Sequence, residues 1–497
     1  MTGPWDAERL LAPWLVDPRL AALPISGMTL DSREVRPGSV FLALAGGRHH
    51  GLEFLDQALA AGAAVVVWEP DGGQDATAVA APCAASGAVD LPRAGLSALV
   101  SAMAARFYGD PGRALRVIAV TGTDGKTSVA DYTAQLLQAL EGDSAVMGTL
   151  GWGRLDQLQP TRHTTSDAVT IQARLAALRD AGVRSVAMEV SSHALVQHRV
   201  DAVPFDVAVL THVGRDHLDY HGSIEAYRAA KRRLFAWPGL QRQVLNLDDI
   251  VGRDLAARPL GDAEVLSYAD VHPADLKLTG IAPRSDGLAL TILHKGHRHA
   301  LTLPLFGVFN ALNALAALGA ILDDQLMAPA LEAAAHLRPV PGRMERFVAT
   351  GAPLAVVDYA HNAGALEAAL NALRPHVTGR LWCVFGCGGD RDSGKRPLMG
   401  EVAGRLADRV VLTSDNPRNE APESIIDAIR RGVPAQTDCR TVTDRGEAIA
   451  MALAEAAPED GVLVAGKGHE TDQVIGATAH PFSDRDRVRQ SLQRRAG

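Results

Sequence analysis

Apolar and polar residues follow one another along this chain in blocks that predict strands alternating with helices. Short runs rich in Val, Ile, Leu and Ala have the length of buried strands, and the stretches between them carry apolar residues at helical spacing. In the first part of the chain this pattern predicts the following elements: a helix at 5–14, a strand at 39–45, a helix at 51–61, a strand at 64–68 and a helix at 96–108.

The alternation continues to the end of the chain. Strands are predicted at 117–120, 185–190, 206–210 and 243–246, and then at 354–358, 381–385, 409–413 and 461–465. Helices are predicted from Asn310 onward and at 363–373, 396–407 and 423–431. Such alternation indicates parallel sheets with crossover helices. Between 276 and 305 the residues alternate around turns, which predicts antiparallel strands.

A glycine-rich loop, Thr121-Gly-Thr-Asp-Gly-Lys-Thr127, lies between the predicted strand at 117–120 and an amphipathic helix. Its glycines let main-chain N–H groups approach phosphates at the positive end of the helix. Lys126 would reach the outer phosphates, and the Thr127 hydroxyl can bind Mg²⁺. The first glycine of the usual phosphate-loop spacing is a valine here, so an ordinary glycine turn is the structural alternative. The loop nevertheless favours binding of ATP with Mg²⁺.

Two turn-rich segments are candidate linkers, Gly109-Asp-Pro-Gly-Arg113 and Pro339-Val-Pro-Gly-Arg343. A chain of 497 residues has room for about three domains. We predict an α/β fold with a small N-terminal α/β domain at 1–112, a central P-loop-type ATPase domain with a mainly parallel sheet at 113–338, and a C-terminal Rossmann-like doubly wound domain at 339–497.

Net charge, apolar runs and cysteine spacing exclude several classes of protein. The net charge is −8 and no lysine-rich tract is present, which argues against nucleic acid as a partner. The sequence shows neither a signal-peptide pattern nor an apolar run of membrane-spanning length, so we expect a cytoplasmic location and no membrane insertion. We also expect a monomer, although the sequence holds no signal for oligomeric state. The four cysteines lack the spacing of a disulfide framework or a zinc site, and we interpret them as buried thiols.

Lysine is rare, since only six of the 49 basic side chains are lysines. Four of the six stand in glycine-rich loops or beside His/Asp clusters, and they are Lys126, Lys231, Lys395 and Lys467. Lysine offers a compact charge or a nucleophilic amine that the planar arginine fork cannot supply. These four positions are therefore candidates for chemistry.

Unusual sequences fall at the carboxyl ends of the predicted strands, where ligands bind in open α/β sheets. They are Glu189-Val-Ser-Ser-His193, Thr211-His-Val-Gly-Arg-Asp-His217, Asp358-Tyr-Ala-His361, Gly386-Cys-Gly-Gly-Asp-Arg-Asp392 and Gly466-Lys-Gly-His-Glu470. Glu189 is a hard oxygen ligand suited to Mg²⁺, and His217 could serve a second ion. Taken alone, each of these two residues could equally be a capped or hydrogen-bonded loop residue.

These motifs resemble those of the Mur ligases, and within that family those of the members that add the third amino acid of the peptidoglycan precursor. The match runs in order through nearly the whole chain. Besides the sequences above it includes Leu30-Asp-Ser-Arg33, Gly38-Ser-Val-Phe41, Thr164-Thr165, His193-Ala-Leu-Val-Gln-His-Arg199, Leu218-Asp-Tyr-His-Gly222, Phe309-Asn310, Asn313, Pro341-Gly-Arg-Met-Glu345 and Asp415-Asn-Pro-Arg418.

The resemblance implies ATP-dependent amide formation with ATP and Mg²⁺ as cofactors. Its substrates would be UDP-N-acetylmuramoyl-L-alanyl-D-glutamate and meso-diaminopimelate, joined through an acyl phosphate. L-lysine or L-ornithine as the third residue and a related ligase of the superfamily are alternatives. An ATP-sensing regulatory module is the alternative from a different class. The Asp415–Arg418 and Gly466–Glu470 motifs argue against related ligases. The predicted metal ligands His217, Lys231 and Glu189 argue against a sensor, because a sensor has no need of a site for two metal ions.

The resemblance also implies site residues. Catalytic residues would be Lys126, Lys231, Glu189 and His217, and metal ligands Thr127, Glu189, His217 and a carbamylated Lys231. ATP would contact Gly122, Thr123, Asp124, Gly125, Lys126, Thr127, Ser128, Asn310, Asn313, Arg343, Asp358 and His361. The UDP-linked substrate would contact Leu30, Ser32, Thr164, Thr165, Ser191, Gln197 and Arg199, and the amino acid Arg391, Asp415, Asn416, Pro417, Arg418, Gly466 and Glu470.

Four places depart from the family pattern. Asp124 stands where Asn is usual and places a negative charge on the phosphate loop. His212 stands in Thr211-His-Val-Gly214 where Thr-Asn-Leu-Ser is usual, and His163 replaces an Asn. Residues 48–50 depart from the usual loop. These changes leave the predicted metal and amino-acid groups intact.

Overall fold

A computed structural model describes residues 5–46, 49–323 and 327–496; Arg48, one of the departures noted above, lies outside them. The chain forms two compact units, unit 1 with residues 1–268 and 319–321 and unit 2 with residues 269–318 and 322–497. Both units combine helices with parallel strands, which confirms the predicted α/β class. The domain boundaries at 112 and 338 remain predictions.

Unit 1 begins with a small α/β layer. Its elements are β1 (Trp5–Asp6), α1 (Ala7–Leu11), β2 (Pro24–Ile25), β3 (Gly27–Thr29), β4 (Ser39–Ala43), α2 (Leu55–Ala60), β5 (Ala63–Trp68), α3 (Ala76–Ser86), β6 (Val89–Pro92) and α4 (Val100–Phe107). Strands β3, β4, β5 and β6 form a parallel sheet in that order. On β5, Val65 and Val67 pack into one apolar cluster and Val66 and Trp68 into another, so the strand is covered on both faces.

A larger sheet follows in the same unit. Its elements are β7 (Arg116–Thr121), α5 (Lys126–Glu141), β8 (Ser144–Gly148), β9 (Gly151–Gly153), α6 (Ala168–Asp180), β10 (Ser185–Glu189), α7 (Ser192–Val196), β11 (Val207–Leu210), α8 (Leu218–His221), α9 (Ile224–Arg232), β12 (Arg242–Asn246), α10 (Ile250–Ala257) and β13 (Glu264–Ala269). The strand order is β13-β12-β11-β7-β10-β8-β9, parallel except for β9.

The order of these strands fixes where a ligand can bind. From β7 the chain crosses first to β8 and later to β11 on the other side, so the switch point lies at β7. The register pairs Glu189 with Val120 and Leu210 with Thr121. The carboxyl ends of β10, β7 and β11 therefore lie side by side.

Unit 2 opens with three antiparallel strands, as predicted for 276–305. Its elements are β14 (Leu276–Arg284), β15 (Gly287–His294), β16 (His297–Leu303), α11 (Val308–Ile321), α12 (Met327–Ala334), β17 (Glu345–Phe347), β18 (Leu354–Asp358), α13 (Ala363–Leu373), β19 (Leu381–Phe385), α14 (Lys395–Leu406), β20 (Arg409–Leu412), α15 (Pro422–Arg430), β21 (Asp438–Thr441), α16 (Arg445–Glu455), β22 (Gly461–Ala465), β23 (Asp472–Ile475), β24 (Thr478–Pro481) and α17 (Asp484–Ala496).

The second sheet of unit 2 has the order β17-β18-β22-β19-β20-β21, parallel except for β17. Asp358 and Phe385 both pair with Ala465, so the carboxyl ends of β18, β22 and β19 are adjacent. The predicted linker at 339–343 packs tightly in this unit, because a Cβ atom on Gly342 would lie 2.1 Å from the main-chain nitrogen of His469.

Three predicted helices in the first segment differ from the structure at their starts. The helix predicted at 5–14 begins with a two-residue strand, because Asp6 caps the helix by accepting a hydrogen bond from the Arg9 main chain. The helices predicted at 51–61 and 96–108 begin with 3₁₀ turns, Gly51–Phe54 and Leu96–Ala98. Among the described residues no helix is both long and apolar enough to cross a membrane. Three of the four cysteine thiols are buried and Cys439 is half-buried.

A fully buried ion pair ties the helices of unit 2 to its strand ends. Arg445 and Asp484 have fully buried side chains and make two contacts of 2.7 Å. The same guanidinium donates to the main-chain oxygens of Ala465 at 2.8 Å and Ser414 at 3.2 Å. The pair thus fixes the loops that follow β20 and β22.

We expect Asp484→Asn to lower the free energy of unfolding of unit 2 by about 3–5 kcal/mol, because it leaves the Arg445 charge buried without a counter-charge. Chemical denaturation followed by fluorescence measures this. The control is Arg440→Ala, whose partner Glu455 is 39% exposed, and it should cost at most about 1 kcal/mol. Equal losses for the two variants would contradict the assigned role of the buried pair.

Candidate active site

The phosphate loop follows β7 and ends at the first residue of α5. Gly122 has a φ of +157° and Gly125 a φ of +86°, conformations that glycine adopts readily. The Lys126 ammonium donates to the main-chain oxygens of Gly122 at 3.0 Å and Thr123 at 2.8 Å. The loop thus has the predicted strand-to-helix position, with its N–H groups at the positive end of α5.

The segment after β11 packs directly against this loop. The Thr211 hydroxyl donates to the main-chain oxygens of Thr121 at 3.1 Å and Asp124 at 2.6 Å. A Cβ atom on Gly122 would lie 1.8 Å from the Thr211 Oγ1, so only glycine fits. These contacts hold the phosphate loop in one conformation.

Glu189, the last residue of β10, is buried, and its carboxylate accepts hydrogen bonds from two segments. The Thr127 hydroxyl donates to Oε2 at 3.0 Å, and the Thr149 main-chain nitrogen donates to Oε1 at 2.7 Å. A Cβ atom on Gly148 would lie 2.2 Å from Oε1. Two hard oxygen donors, Thr127 and Glu189, therefore lie together in a form that suits Mg²⁺.

Lys231 on α9 is only 1% exposed. Its amine donates to the main-chain oxygen of Gly122 at 2.6 Å and lies 4.6 Å from the centre of the Tyr227 ring. Burial, and after it the positive charge of Lys126, lowers the pKa of the Lys231 amine well below its usual range. The structure thus places a lysine that favours the neutral, nucleophilic amine beside the phosphate loop.

His217 lies in an aromatic cluster at the start of α8. Its ring centre is 4.7 Å from that of His193 and 6.4 Å from that of Tyr227. Burial, followed by the charges of His217 and His221, lowers the pKa of His193 to about 4. The cluster therefore holds His193 as a neutral ring beside His217.

Of the predicted metal ligands, two contact each other and the other two share a neighbouring tyrosine. Thr127 contacts Glu189, while Lys231 and His217 both contact Tyr227. No group of three or more His, Cys, Asp or Glu side chains within the described ranges is arranged to hold a metal. Only Glu189 and His217 of the predicted set belong to those residue types.

Four of the residues predicted for the UDP-linked substrate form one network after β10. The Thr165 hydroxyl donates to the main-chain oxygen of the last β10 residue at 2.8 Å and accepts from the Ser191 nitrogen at 3.1 Å. The Arg199 guanidinium donates to the main-chain oxygen of Thr165 at 2.8 Å and to Gln197 Oε1 at 2.9 Å.

The other three residues of this predicted set have different partners. The Thr164 hydroxyl lies 3.0 Å from the Thr149 hydroxyl and so joins the surroundings of the buried carboxylate. Leu30 and Ser32 follow β3, and the Ser32 hydroxyl donates to Gln57 Oε1 at 2.8 Å.

In unit 2, two predicted adenine-side residues lie near the start of α11. Asn310 donates through Nδ2 to the main-chain oxygen of Phe306 at 2.9 Å, and Asn313 donates to Asn310 Oδ1 at 3.3 Å. The Arg343 guanidinium lies 4.3 Å from the centre of the Tyr359 ring.

Asp358 ends β18, and its carboxylate accepts hydrogen bonds from the main-chain nitrogens of Met344 at 2.7 Å and Ala360 at 2.9 Å. Burial raises the pKa of this carboxyl, although nearby positive charge opposes the shift. His361 Nδ1 lies 2.9 Å from the main-chain oxygen of Tyr359. The predicted ribose and phosphate residues are thus on two neighbouring loops of unit 2, one before β17 and one after β18.

A buried lysine organises the predicted amino-acid site. Lys467, fully buried, donates to Glu470 Oε2 at 2.8 Å, to Asn416 Oδ1 at 3.0 Å and to the main-chain oxygen of Asp472 at 2.7 Å. Asn416 Nδ2 also donates to Glu470 Oε2 at 2.9 Å. The Asp415–Arg418 and Gly466–Glu470 motifs are therefore joined by side-chain hydrogen bonds.

The arginines predicted for this site differ in their surroundings. Arg418 has a positive φ of +51° and donates through Nη1 to the main-chain oxygen of Gly389 at 2.9 Å. Arg391 is exposed. A Cβ atom on Gly466 would lie 2.6 Å from Asp415 Oδ2, so the two loops approach closely.

Three family models match successive parts of the chain. The model described as "Mur ligase family, catalytic domain" matches residues 24–108, "Mur ligase middle domain" residues 120–321, and "Mur ligase, glutamate ligase domain" residues 342–468. This chain belongs to the Mur ligase family.

Individual relatives share one name, UDP-N-acetylmuramoyl-L-alanyl-D-glutamate--2,6-diaminopimelate ligase. The relative from Alkalilimnicola ehrlichii is 51% identical over 494 residues, which cover 98% of this chain and 99% of that protein. The one from Pseudomonas aeruginosa is 48% identical over 472 residues, 95% of each chain. A solved structure with the same name has a TM-score of 0.70 and 34% identity, and covers 99% of this chain and 100% of its own.

Sequence reasoning missed three residues of this Mur ligase's site. Thr149 donates to the buried Glu189 but follows a strand that was not predicted. Tyr227 contacts both Lys231 and the phosphate loop, where its hydroxyl lies 2.8 Å from that of Thr123. Asp249 lies 3.1 Å from the His212 ring. Asp249 could have been found from the sequence, because it follows a predicted strand in Asn246-Leu-Asp-Asp249. Nothing in the sequence around Tyr227 distinguishes it from other helix residues.

We expect Gly148→Ala to reduce the ATP-dependent phosphate release of this ligase by about ten- to hundredfold, the cost of one lost charged hydrogen bond, because the new methyl would displace the Glu189 carboxylate. Gly142→Ala is the control: its φ is +85° but no atom lies within 4 Å of the added carbon, so it should cost stability without affecting turnover. Equal turnover in the two variants would contradict the expected role of the carboxylate.

Proposed function

We propose that this Mur ligase joins meso-diaminopimelate to UDP-N-acetylmuramoyl-L-alanyl-D-glutamate with consumption of ATP. The observation that carries the proposal is the extent of the match, 51% identity over 98% of the chain with a relative of that name. The motif Asp415-Asn-Pro-Arg418 and the lysine network around Glu470 lie within this match. Peptidoglycan precursor synthesis would be the process served.

The proposed reaction has two steps. A carboxylate oxygen of the dipeptide attacks the γ-phosphorus of ATP, and the bond from that phosphorus to the bridging oxygen breaks, giving an acyl phosphate and ADP. The amine of the amino acid then attacks the acyl carbon, loses a proton and expels phosphate. Both steps need positioning and charge neutralisation and no nucleophilic Ser or Cys.

The phosphate loop supplies the cation for the first step. Lys126 would exchange its contacts with loop oxygens for contacts with phosphate oxygens as charge moves toward ADP. Thr127 and Glu189 would hold Mg²⁺, which neutralises phosphate charge when bound. The tight fit of Thr211 against Gly122 supports this role, because a rigid loop is already arranged for phosphate.

The three sequence domains would divide the binding work. We assign residues 1–112 to the UDP-linked substrate, 113–338 to ATP and 339–497 to the amino acid. A carboxylate at the far end of diaminopimelate would bind Arg418, whose guanidinium is held through Nη1 by the Gly389 carbonyl. A cytoplasmic location and a monomeric state remain predictions.

Phosphate release with ATP, Mg²⁺ and the UDP-linked dipeptide tests the proposal, with meso-diaminopimelate, L-lysine or L-ornithine added in turn. We expect release with diaminopimelate only. Arg418→Ala should raise the KM for diaminopimelate about ten- to hundredfold and change kcat less, because a charged hydrogen bond is lost. The matched control is Arg431→Ala, an exposed arginine of the same domain.

Two results would count against this assignment. If turnover with lysine or ornithine equals that with diaminopimelate, the ligase activity would stand, but the proposed role of Arg418 in selecting the amino acid would be contradicted. Absence of turnover with all three amino acids would contradict the proposed reaction.

The buried Lys231 amine also supports the implied carbamylation. The neutral amine would add to CO₂, forming the N–C bond and releasing a proton, and the product would be an anionic oxygen donor. We expect ¹³C NMR of protein in labelled bicarbonate to show a carbamate carbon that disappears in Lys231→Met. Lys395→Arg, a half-buried lysine bound to a main-chain oxygen, should retain the signal. A signal that survives in Lys231→Met would place the carbamate elsewhere.

A further inference from the structure

The main chain of His212 is joined to the phosphate loop. Its carbonyl accepts a hydrogen bond from the Thr123 nitrogen at 2.6 Å, and residues Asp124 and His212 form an antiparallel bridge. The preceding residue, Thr211, donates to the Asp124 carbonyl at 2.6 Å. A charge on the His212 side chain therefore stays at a fixed place beside the loop.

The His212 ring is held by a buried carboxylate. Nδ1 lies 3.1 Å from Asp249 Oδ2, and the Asp249 side chain is only 2% exposed. The same carboxylate accepts from the main-chain nitrogens of Val213 and Val251, each at 2.8 Å, and so caps α10. These bonds hold the Asp249 carboxylate in place as an anion, and it orients the His212 ring. The His212 side chain itself is 60% exposed.

Two carboxylates act on the imidazole. The hydrogen bond to Asp249 raises the pKa of His212 most, and the charges of Asp249 and Asp124 raise it further against the effect of burial. These are the titratable groups that act on the ring, one from α10 and one from the phosphate loop. His212 is therefore charged over a wider pH range than a free histidine.

Asp124 poses a problem for a loop that binds phosphate. Its side chain is exposed within the loop, and a carboxylate there repels the phosphate charges of a nucleotide. The loop also holds the positive charge of Lys126, but that ammonium is needed at the outer phosphates. A further positive charge near Asp124 would reduce this repulsion.

We propose that His212 is a positioning residue for the nucleotide, an imidazolium held by Asp249 that offsets the charge of Asp124 and so preserves the affinity of the loop for phosphate. The proposal rests on the ATP site of the proposed function.

Binding of Mg²⁺·ADP to the whole protein, measured by calorimetry near pH 6.5 without peptide substrate or amino acid, tests the pair. His212→Asn should weaken binding about fivefold, because Asp124 then repels the phosphates unopposed. In Asp124→Asn/His212→Asn, with both charges absent, binding should return to within about twofold of the wild type. A double variant that binds as weakly as His212→Asn alone would show a structural role and overturn the proposal.

The pH dependence gives a second readout. As pH rises and His212 loses its proton, wild-type affinity should fall toward that of His212→Asn, and the ratio of the two Kd values cancels titration of ADP itself. A ratio that stays constant with pH would overturn the proposal.

Folding and function failures are separable in this design. His212→Gln serves as a second neutral variant if thermal unfolding shows that His212→Asn is unstable. A wild type that binds no Mg²⁺·ADP would overturn both this inference and the proposed ATP site. Normal ADP binding without ligation would contradict only the proposed reaction.

Discussion

The buried carboxylate of Glu189 has to be given hydrogen-bond donors, and the segments that supply them are the segments that build the site. A buried carboxylate without partners is strongly unfavourable, so β10 can end there only if neighbouring elements provide donors. One donor is the Thr127 hydroxyl at the start of α5, and two come from Thr149 after β8. Satisfying one charge therefore brings the phosphate loop, the β8 turn and the end of β10 together.

Two fully buried lysines show how their surroundings decide what an amine can do. Lys467 has the Glu470 carboxylate at 2.8 Å and two further oxygens, so it is a satisfied cation that joins two loops of unit 2. Lys231 has a main-chain oxygen and an aromatic ring, and its burial favours the neutral amine. Lys467 therefore stabilises the fold, whereas the Lys231 amine is suited to reaction with an electrophile such as CO₂.

Much of the fold could be predicted because the central strands of its parallel sheets are buried at nearly every position, which makes them nearly continuous apolar runs. Short or peripheral elements were not predicted: β8 and β9 contain glycines, and β21 and β24 are polar and exposed. In the site, the phosphate loop was readable because glycine spacing and a strand-to-helix change occur together. The roles of Thr149 and Tyr227 could not be predicted from the sequence, because they depend on which strands and helices are neighbours in the fold.

The amino-acid side of the site shows the same dependence on neighbours. Glu470 was predicted to contact the amino acid, where its carboxylate could bind an ammonium, but its Oε2 accepts hydrogen bonds from Lys467 and Asn416. This pairing fixes the orientation of the carboxylate and offsets part of its charge. An incoming ammonium would then be selected by the direction of the carboxylate more than by attraction at long range. A far carboxylate on the amino acid would still need a cation of its own, and in the proposed function Arg418, on the adjoining loop and with only part of its fork bound to Gly389, would provide it.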